Sequence, residues 1–191
     1  MADRTPIEVL VFACPDEDAG TVLDVLHEHG LLPQSPRTGL ELCRGYMQAE
    51  MPVGSSEEIA AALPRSSAWQ VWEDPKYEHL GQVFLHHPDL GVFRADCDAY
   101  GRAVFSGDEV DQMVSETGGD RVALGHLTGR TWQVALEALR SANEGIVVQP
   151  GTAGTSSRMQ AAALNQLTGG PARWLPPNAP GLARTGSAPT L

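Results

Sequence analysis

The chain has 191 residues, 42% of them apolar and 6% aromatic, and a formal net charge of −11. That is length for one ordinary domain or two small ones with a real core, and no run approaches the roughly 18 to 20 apolar residues that cross a bilayer. An acidic body also repels phosphates, which argues against direct nucleic-acid binding.

The charge is unevenly divided. Up to Glu144 the sequence holds 24 acids against ten bases, a balance of −14, whereas residues 145–191 carry only Arg158, Arg173 and Arg184, a balance of +3. The acidic part admits a further reading, in which it imitates a polyanion and occupies a basic partner. The opening M-A-D-R-T-P has no apolar leader behind it, so the expected location is the cytoplasm, with no membrane association. Cys14, Cys43 and Cys97 are odd in number and lack C-x-x-C spacing, so buried free thiols are expected, not a disulfide framework or a zinc ribbon. Twelve arginines to a single lysine, Lys76, with abundant Ala and Gly, suggest coding in a GC-rich bacterium or its phage.

In chain order, Ile7, Val9 and Val11 alternate with Glu8, Leu10 and Phe12, the second set apolar except at its first member. A central strand covered on both faces is the expectation. Pro15 suits a first helical turn, and Asp16, Glu17 and Asp18 place negative charge at the start of a helix in which Ala19, Val22, Leu23, Val25 and Leu26 recur at helical spacing. Gly30 stops it. After Pro33, Pro36 and Gly39, residues Leu40 to Met51 read as strand, with Gly45 a bulge or the centre of a tight reversal. Ser55-Ser56-Glu57-Glu58 is a capping box that opens a helix through Leu63, closed by Pro64, and Trp69 to Glu73 returns as strand. If Gly45 is a reversal, residues 1–74 follow the ferredoxin-like order β-α-β-β-α-β.

Within that order, Asp18-Ala19-Gly20-x-x-Leu23-x-x-Leu26-x-x-x-Gly30 resembles the first turn and helix of ACT-type regulatory domains, which carry D-x-P-G-x-L and a helix ending at Gly. Ala19 stands where that family favours Pro. The resemblance covers about the first 74 residues and implies that Asp16, Asp18, Ala19 and Gly20 hold an amino acid or similar ligand, at a contact between two copies of the chain.

Past Glu73 the pattern becomes short strands at Gly81 to His86, Val92 to Cys97 and Arg102 to Phe105. They are joined by His87-Pro88-Asp89-Leu90-Gly91 and by the type I turn Asp98-Ala99-Tyr100-Gly101, so an antiparallel meander extends the first sheet. Ser106-Gly107-Asp108-Glu109 is a second capping box, before a helix with Val110, Met113 and Val114 on one face and Gly118-Gly119 at its end. A last helix starts at Thr128 or Thr131 and carries the stripe Trp132, Ala135, Leu136, Leu139. The expected body is thus a single α+β domain over 1–144, with two helices after the meander. From Gly145 onward thirteen of 47 residues are Pro or Gly and no acid appears, the composition of a flexible tail. Within it Ser157 to Leu167 has the propensity for a short helix, and Arg173, Trp174, Leu175, Pro176 and Pro177 resemble a peptide that docks in a groove.

No constellation of residues identifies a reaction. His86, His87, Asp96 and Asp98 are ligand types for zinc or iron, but if the loop centres on Asp89 and Leu90, His86 pairs with Phe93 and lies roughly 10 Å from Asp96. His87 points the other way and Asp98 has a turn role, so no metal is expected and these residues read as surface polars of a hairpin. Cys97 lies between two aspartates, which disfavour a thiolate. His27 and His29 diverge on their helix, and neither Gly118-Gly119 nor Gly169-Gly170 forms a phosphate loop. Trp69 and Val71 share one face of their strand, which leaves Trp72 with Gln70 on the other, either in a second buried layer or as an interface anchor.

The resulting expectation is a non-enzymatic cytoplasmic protein without a cofactor that binds another protein or a second copy of itself, through Trp72 and the tail residues Arg173 to Pro177. An amino-acid sensor and an acidic nucleic-acid mimic are the alternatives.

Overall fold

The computed structural model describes residues 3–33, 38–77 and 79–151. The expected helix at 157–167 and the docking residues Arg173, Trp174, Leu175, Pro176 and Pro177 lie outside the described residues.

Among the described residues the fold is α+β: an antiparallel sheet with five helices. The chain runs through β1 (Arg4–Ala13), a 3-10 turn (Asp16–Asp18), α1 (Ala19–Glu28), β2 (Leu32–Pro33), β3 (Leu40–Glu41), β4 (Gly45–Pro52), α2 (Ser55–Ala62) and β5 (Ala68–Glu73). Then come β6 (Gly81–His87), β7 (Gly91–Cys97), α3 (Gly107–Thr117), α4 (Arg121–Leu127), α5 (Arg130–Asn143) and β8 (Val147–Val148). Six strands form one sheet in the order β2-β4-β1-β5-β6-β7, and β3 pairs with β8 in a second, two-stranded sheet. The first four of those positions are compatible with the ferredoxin-like arrangement, and β6 and β7 extend it as a meander.

β1 is covered on both faces, as its two apolar rows require. Ile7, Val9 and Val11 meet α1, α2 and the β3–β8 pair in one core, with Val22, Leu26, Ile59 and Trp69. Leu10 and Phe12 meet α5 in a second core, with Leu85, Phe93, Trp132, Leu136 and Leu139. The last helix is anchored to the sheet at both ends. Trp132 donates its indole N–H to the Gly91 carbonyl at 2.9 Å, and Asn143 donates Nδ2 to the Phe12 carbonyl at 2.8 Å. Gly129, at φ 74°, starts α5, and a side chain there would overlap the Phe93 ring. That backbone conformation and that contact both require glycine.

Several local expectations change. The strand read over Leu40 to Met51 is two strands in different sheets. Cys43 at φ 60° turns the chain between them, and Gly45 opens β4 instead of reversing it. The strand beside β4 is the two-residue β2. The capping box read at Ser55 does not form: Gly54 is the N-cap at φ 92°, and the buried Glu73 carboxylate of β5 accepts from Gly54 N–H (2.8 Å), Ser56 N–H (3.4 Å) and the Ser56 hydroxyl (2.7 Å). A neighbouring strand thus supplies the anion that the helix N-terminus favours. The box at Ser106 does form.

Arg102 to Phe105 is not a strand; a single bridge joins Cys97 and Ala103. An unforeseen helix, α4, follows Asp120, which caps Val122 and Ala123 N–H, so among the described residues three helices follow the meander. Residues 145–148, expected in the tail, pack on the body: β8 pairs with β3 and Val148 is buried.

Candidate functional site

Strand periodicity puts Glu8, Leu10 and Phe12 of β1 on the face opposite Ile7 and Val9, and the register sets Glu8 beside Trp72 and Leu10 beside Gln70 of β5. In turn Trp72 pairs with Val83 and Gln70 with Leu85 of β6. Directly paired residues point to the same face, so these side chains make one continuous floor. Gln133, Leu136, Glu137 and Arg140 recur at helical spacing on α5 and make the roof. The turn Tyr100-Gly101-Arg102 closes one end, and the half-open cleft has a volume of about 390 Å³, within the lower range of small-ligand sites.

The walls are held by close packing, hydrogen bonds and ion pairs. Gly101, at φ 67°, lies against Trp72, where an added Cβ would stand 3.1 Å from Cγ and Cδ2. Asp98 holds the turn by accepting from Tyr100 N–H (2.9 Å) and Arg102 N–H (3.1 Å). Its second oxygen takes the Arg102 guanidinium at 2.7 Å, and that hydrogen bond above all lowers the Asp98 carboxyl. On the roof, Arg140 Nε lies 3.4 Å from Glu137 and its guanidinium stacks 5.3 Å over the Phe12 ring. The Trp72 indole donates to Asp74 at 3.2 Å.

Glu8 is the exception. It is the one acid on the floor, and among the described residues no hydrogen bond reaches its carboxylate. One of its oxygens lies against the α-carbon of Gly45, where a side chain would displace it. Burial first, and the Asp74 carboxylate second, raise its carboxyl above the ordinary value, while Arg140 opposes both. A raised acid favours the native state when protonated and loses that contribution as pH rises through its folded value. Glu8→Gln is therefore expected to raise the melting temperature at pH 8 and to change it little at pH 4. An unchanged or lower melting temperature at pH 8 would mean that the charge is well accommodated.

The other residues singled out from sequence fall elsewhere. Asp16 is buried in the 3-10 turn, and its Oδ1 has no hydrogen-bond partner among the described residues. Asp18 accepts from the Ser66 hydroxyl, Ala19 is core, and Gly20 faces Pro150, with 3.9 Å between an added Cβ and the Pro150 ring. The turn lies on the α1 side of the sheet, away from the cleft. Of the expected site residues that are described, only Trp72 lines the cleft; it is half-buried, not a protruding anchor.

His86 and His87 are buried, not surface polars. The hairpin register is one residue off the expected one: His86 faces Val92 and Leu85 faces Phe93, which puts His86 about 13 Å along the strand from Asp96. His86 donates Nδ1–H to the Ser67 carbonyl (2.8 Å) and stacks on Trp69 (4.9 Å between centroids). His87 Nδ1 accepts from Asp89 N–H at 3.2 Å. Burial is the first cause that lowers both, so their contribution to stability is present above the ordinary histidine value of about 6.5 and is lost as pH falls below it. Denaturant titrations at pH 7.5 and 5.5 are expected to show lower stability at 5.5, with a smaller difference in the His86→Gln/His87→Gln variant. An equal difference in that variant would assign the pH dependence to other groups.

Burial pushes the thiols up, Cys14 and Cys43 to about 11 and Cys97 to about 12, which leaves all three protonated near neutral pH and poor as nucleophiles. Among the described residues no group of three or more His, Cys, Asp or Glu is placed to hold a metal ion, and no helix is long and apolar enough to cross a membrane.

A family model described as protein of unknown function, DUF3145, matches residues 20–150. The chain belongs to that family. No curated protein and no solved structure matches it. The DUF3145 match spans α1 through β8, and so includes Gln70, Trp72, Leu85, the turn at 100–102 and the α5 roof. It begins after β1, which supplies Glu8, Leu10 and Phe12 to the floor.

Proposed function

We propose that this DUF3145 protein is a non-enzymatic regulatory protein that binds a small molecule in the Trp72 cleft. The observation that carries the reading is the cleft itself, an aromatic and aliphatic floor with polar side chains at its edges, held open between a pinned helix and a glycine-backed turn. Six of the thirteen lining residues are Glu, Gln or Arg, so a ligand with both an apolar part and a polar or charged group suits the cleft. The protonated thiols and the two histidines engaged in backbone hydrogen bonds fit a binding role better than a nucleophilic one. The test is a thermal-shift screen with small amines, acids, alcohols and nucleosides, run on the wild type and on Gln133→Trp, an exposed roof position where the larger side chain fills the mouth. Hits that raise the wild-type melting temperature and vanish in the variant support the reading. No hit, or hits unchanged by the variant, would overturn it.

A second reading concerns a protein partner. Helices α3 and α4 bury none of their residues, and Val110, Val114, Val122 and Leu127 remain exposed on a hairpin with five acids (Asp108, Glu109, Asp111, Glu116, Asp120) and one arginine, Arg121. An apolar stripe rimmed by acids suits a basic amphipathic segment of another protein. A fluorescently labelled Lys/Leu amphipathic peptide is expected to bind in an anisotropy titration and to lose at least tenfold in affinity against Val110→Asp/Val114→Asp. Equal binding to both would sink the idea. Tighter binding of a peptide of residues 157–177 would replace the partner with this chain's own tail.

A further inference from the structure

We propose that the ligand of the Trp72 cleft is a small organic cation, an arylalkyl ammonium, whose charge is held by the Glu8 carboxylate while its ring lies on Trp72. The inference deepens the small-molecule reading above and rests on it.

The charges around the cleft decide the class. Arg102 is engaged by Asp98, at 2.7 and 2.9 Å. Arg140 lies between Glu137 at 3.4 Å and the Phe12 ring. Glu8 alone among the cleft's charged side chains has neither a hydrogen bond nor an ion pair within the described residues. A half-buried carboxylate in that state gains from a cation that brings its own hydrogen-bond donors, because the ligand then supplies what burial has removed from water. An anion meets Glu8, Glu137 and the nearby Asp74, and displaces the contact that Arg140 already has.

The floor points the same way. Trp72 is the direct cross-strand neighbour of Glu8, so one molecule can place an ammonium at the carboxylate and a ring or alkyl chain on the indole. An aromatic face also attracts a cation directly. Gly45 leaves room for one oxygen of the carboxylate against β4, and Leu10, Phe12, Leu85 and Leu136 make the deeper wall apolar. A compact ligand with one charged end and one apolar end matches that layout, whereas a uniformly polar one leaves the wall unused.

The pH response follows from the groups that face Glu8. These are Asp74 after β5, Glu137 and Arg140 on α5, and Arg102 with Asp98 at the end turn. Asp74 raises Glu8 and Arg140 lowers it, while Glu137 is paired with Arg140 and Asp98 with Arg102. Cation affinity is therefore expected to rise with pH until Glu8 is ionised and then to level off while the ligand remains protonated.

The test uses three probes that share one ring and differ in charge: phenethylammonium, phenethyl alcohol and phenylacetate, titrated calorimetrically into the full chain at pH 7.5. Phenethylammonium is expected to bind at least tenfold more tightly than the other two, and Glu8→Gln to remove that preference without weakening the alcohol. Folding of the variant is read independently from its melting temperature, expected to be no lower than that of the wild type. If the alcohol or phenylacetate binds as tightly as the cation, the charge assignment is wrong and the small-molecule cleft stands. If the cation keeps its preference in Glu8→Gln, Glu8 is not its holder and the proposal fails. Binding by none of the three, together with no hit in the broader screen, overturns both.

Discussion

Trp69→Ala is expected to destabilise the protein by about 3–5 kcal/mol, the largest single effect of any substitution considered. Trp69 is fully buried, sits centrally in the sheet against Val11 and His86, and donates its indole N–H to the Pro64 carbonyl at 3.1 Å. Removal leaves three separate deficits. The ring volume becomes a cavity in the larger core, the carbonyl that ends α2 loses a donor, and His86 loses the face it stacks on. Trp69→Phe restores most of the ring and none of the hydrogen bond, so a loss of about 1–2 kcal/mol is expected there. Urea denaturation of both variants separates the contributions. Equal losses would mean that the hydrogen bond, not the ring, dominates.

Glu73→Ala comes next, at about 2–3 kcal/mol. The carboxylate satisfies two backbone N–H groups and one hydroxyl at the start of α2, and the site is too buried for water to replace it freely. Glu73→Gln keeps the shape but loses the charge facing the helix N-terminus, and about 1 kcal/mol is expected. Hydrogen exchange adds a local readout: α2 amides should lose protection in Glu73→Ala more than those of β6 do. Uniform loss along the chain would indicate that the carboxylate supports the whole sheet and not the helix end.

The legible parts of the fold are those with a period. β1 and α1 were readable because ten residues in each repeat a strand or helix pattern, and the α5 stripe Trp132, Leu136, Leu139 is the buried face observed. β2 and β8 carry no period in two residues each; their pairing is decided by β4 and β3, which sequence spacing does not connect. The Ser55 box does not form because the helix begins one residue earlier, with Gly54 as N-cap, and a carboxylate distant in sequence, Glu73, takes the donors of Gly54 and Ser56. In the tail, thirteen prolines and glycines over 47 residues obscured Ile146-Val147-Val148.

The cleft was half legible. Alternation separates Trp72 from Trp69 and puts it on the right face, and Glu8 stands out as the single polar member of an otherwise apolar row. Gln133, Glu137 and Arg140 looked like the solvated side of a helix. They become a roof only because Asn143 and Trp132 fix how α5 lies across the sheet. In the Asp16 to Gly20 turn the acids are conspicuous in sequence, while the burial of Asp16 and Ala19 is visible only in the fold.

The most direct test is the indole N–H region of a ¹⁵N–¹H correlation spectrum, where four tryptophans give four resonances and Trp72→Phe assigns the one that matters. On titration with phenethylammonium, the Trp72 resonance is expected to shift saturably while Trp69, buried on the opposite face, stays fixed. A saturable shift of Trp174 or Trp69 without Trp72, or no shift at all, would contradict the assignment of the cleft as the binding site.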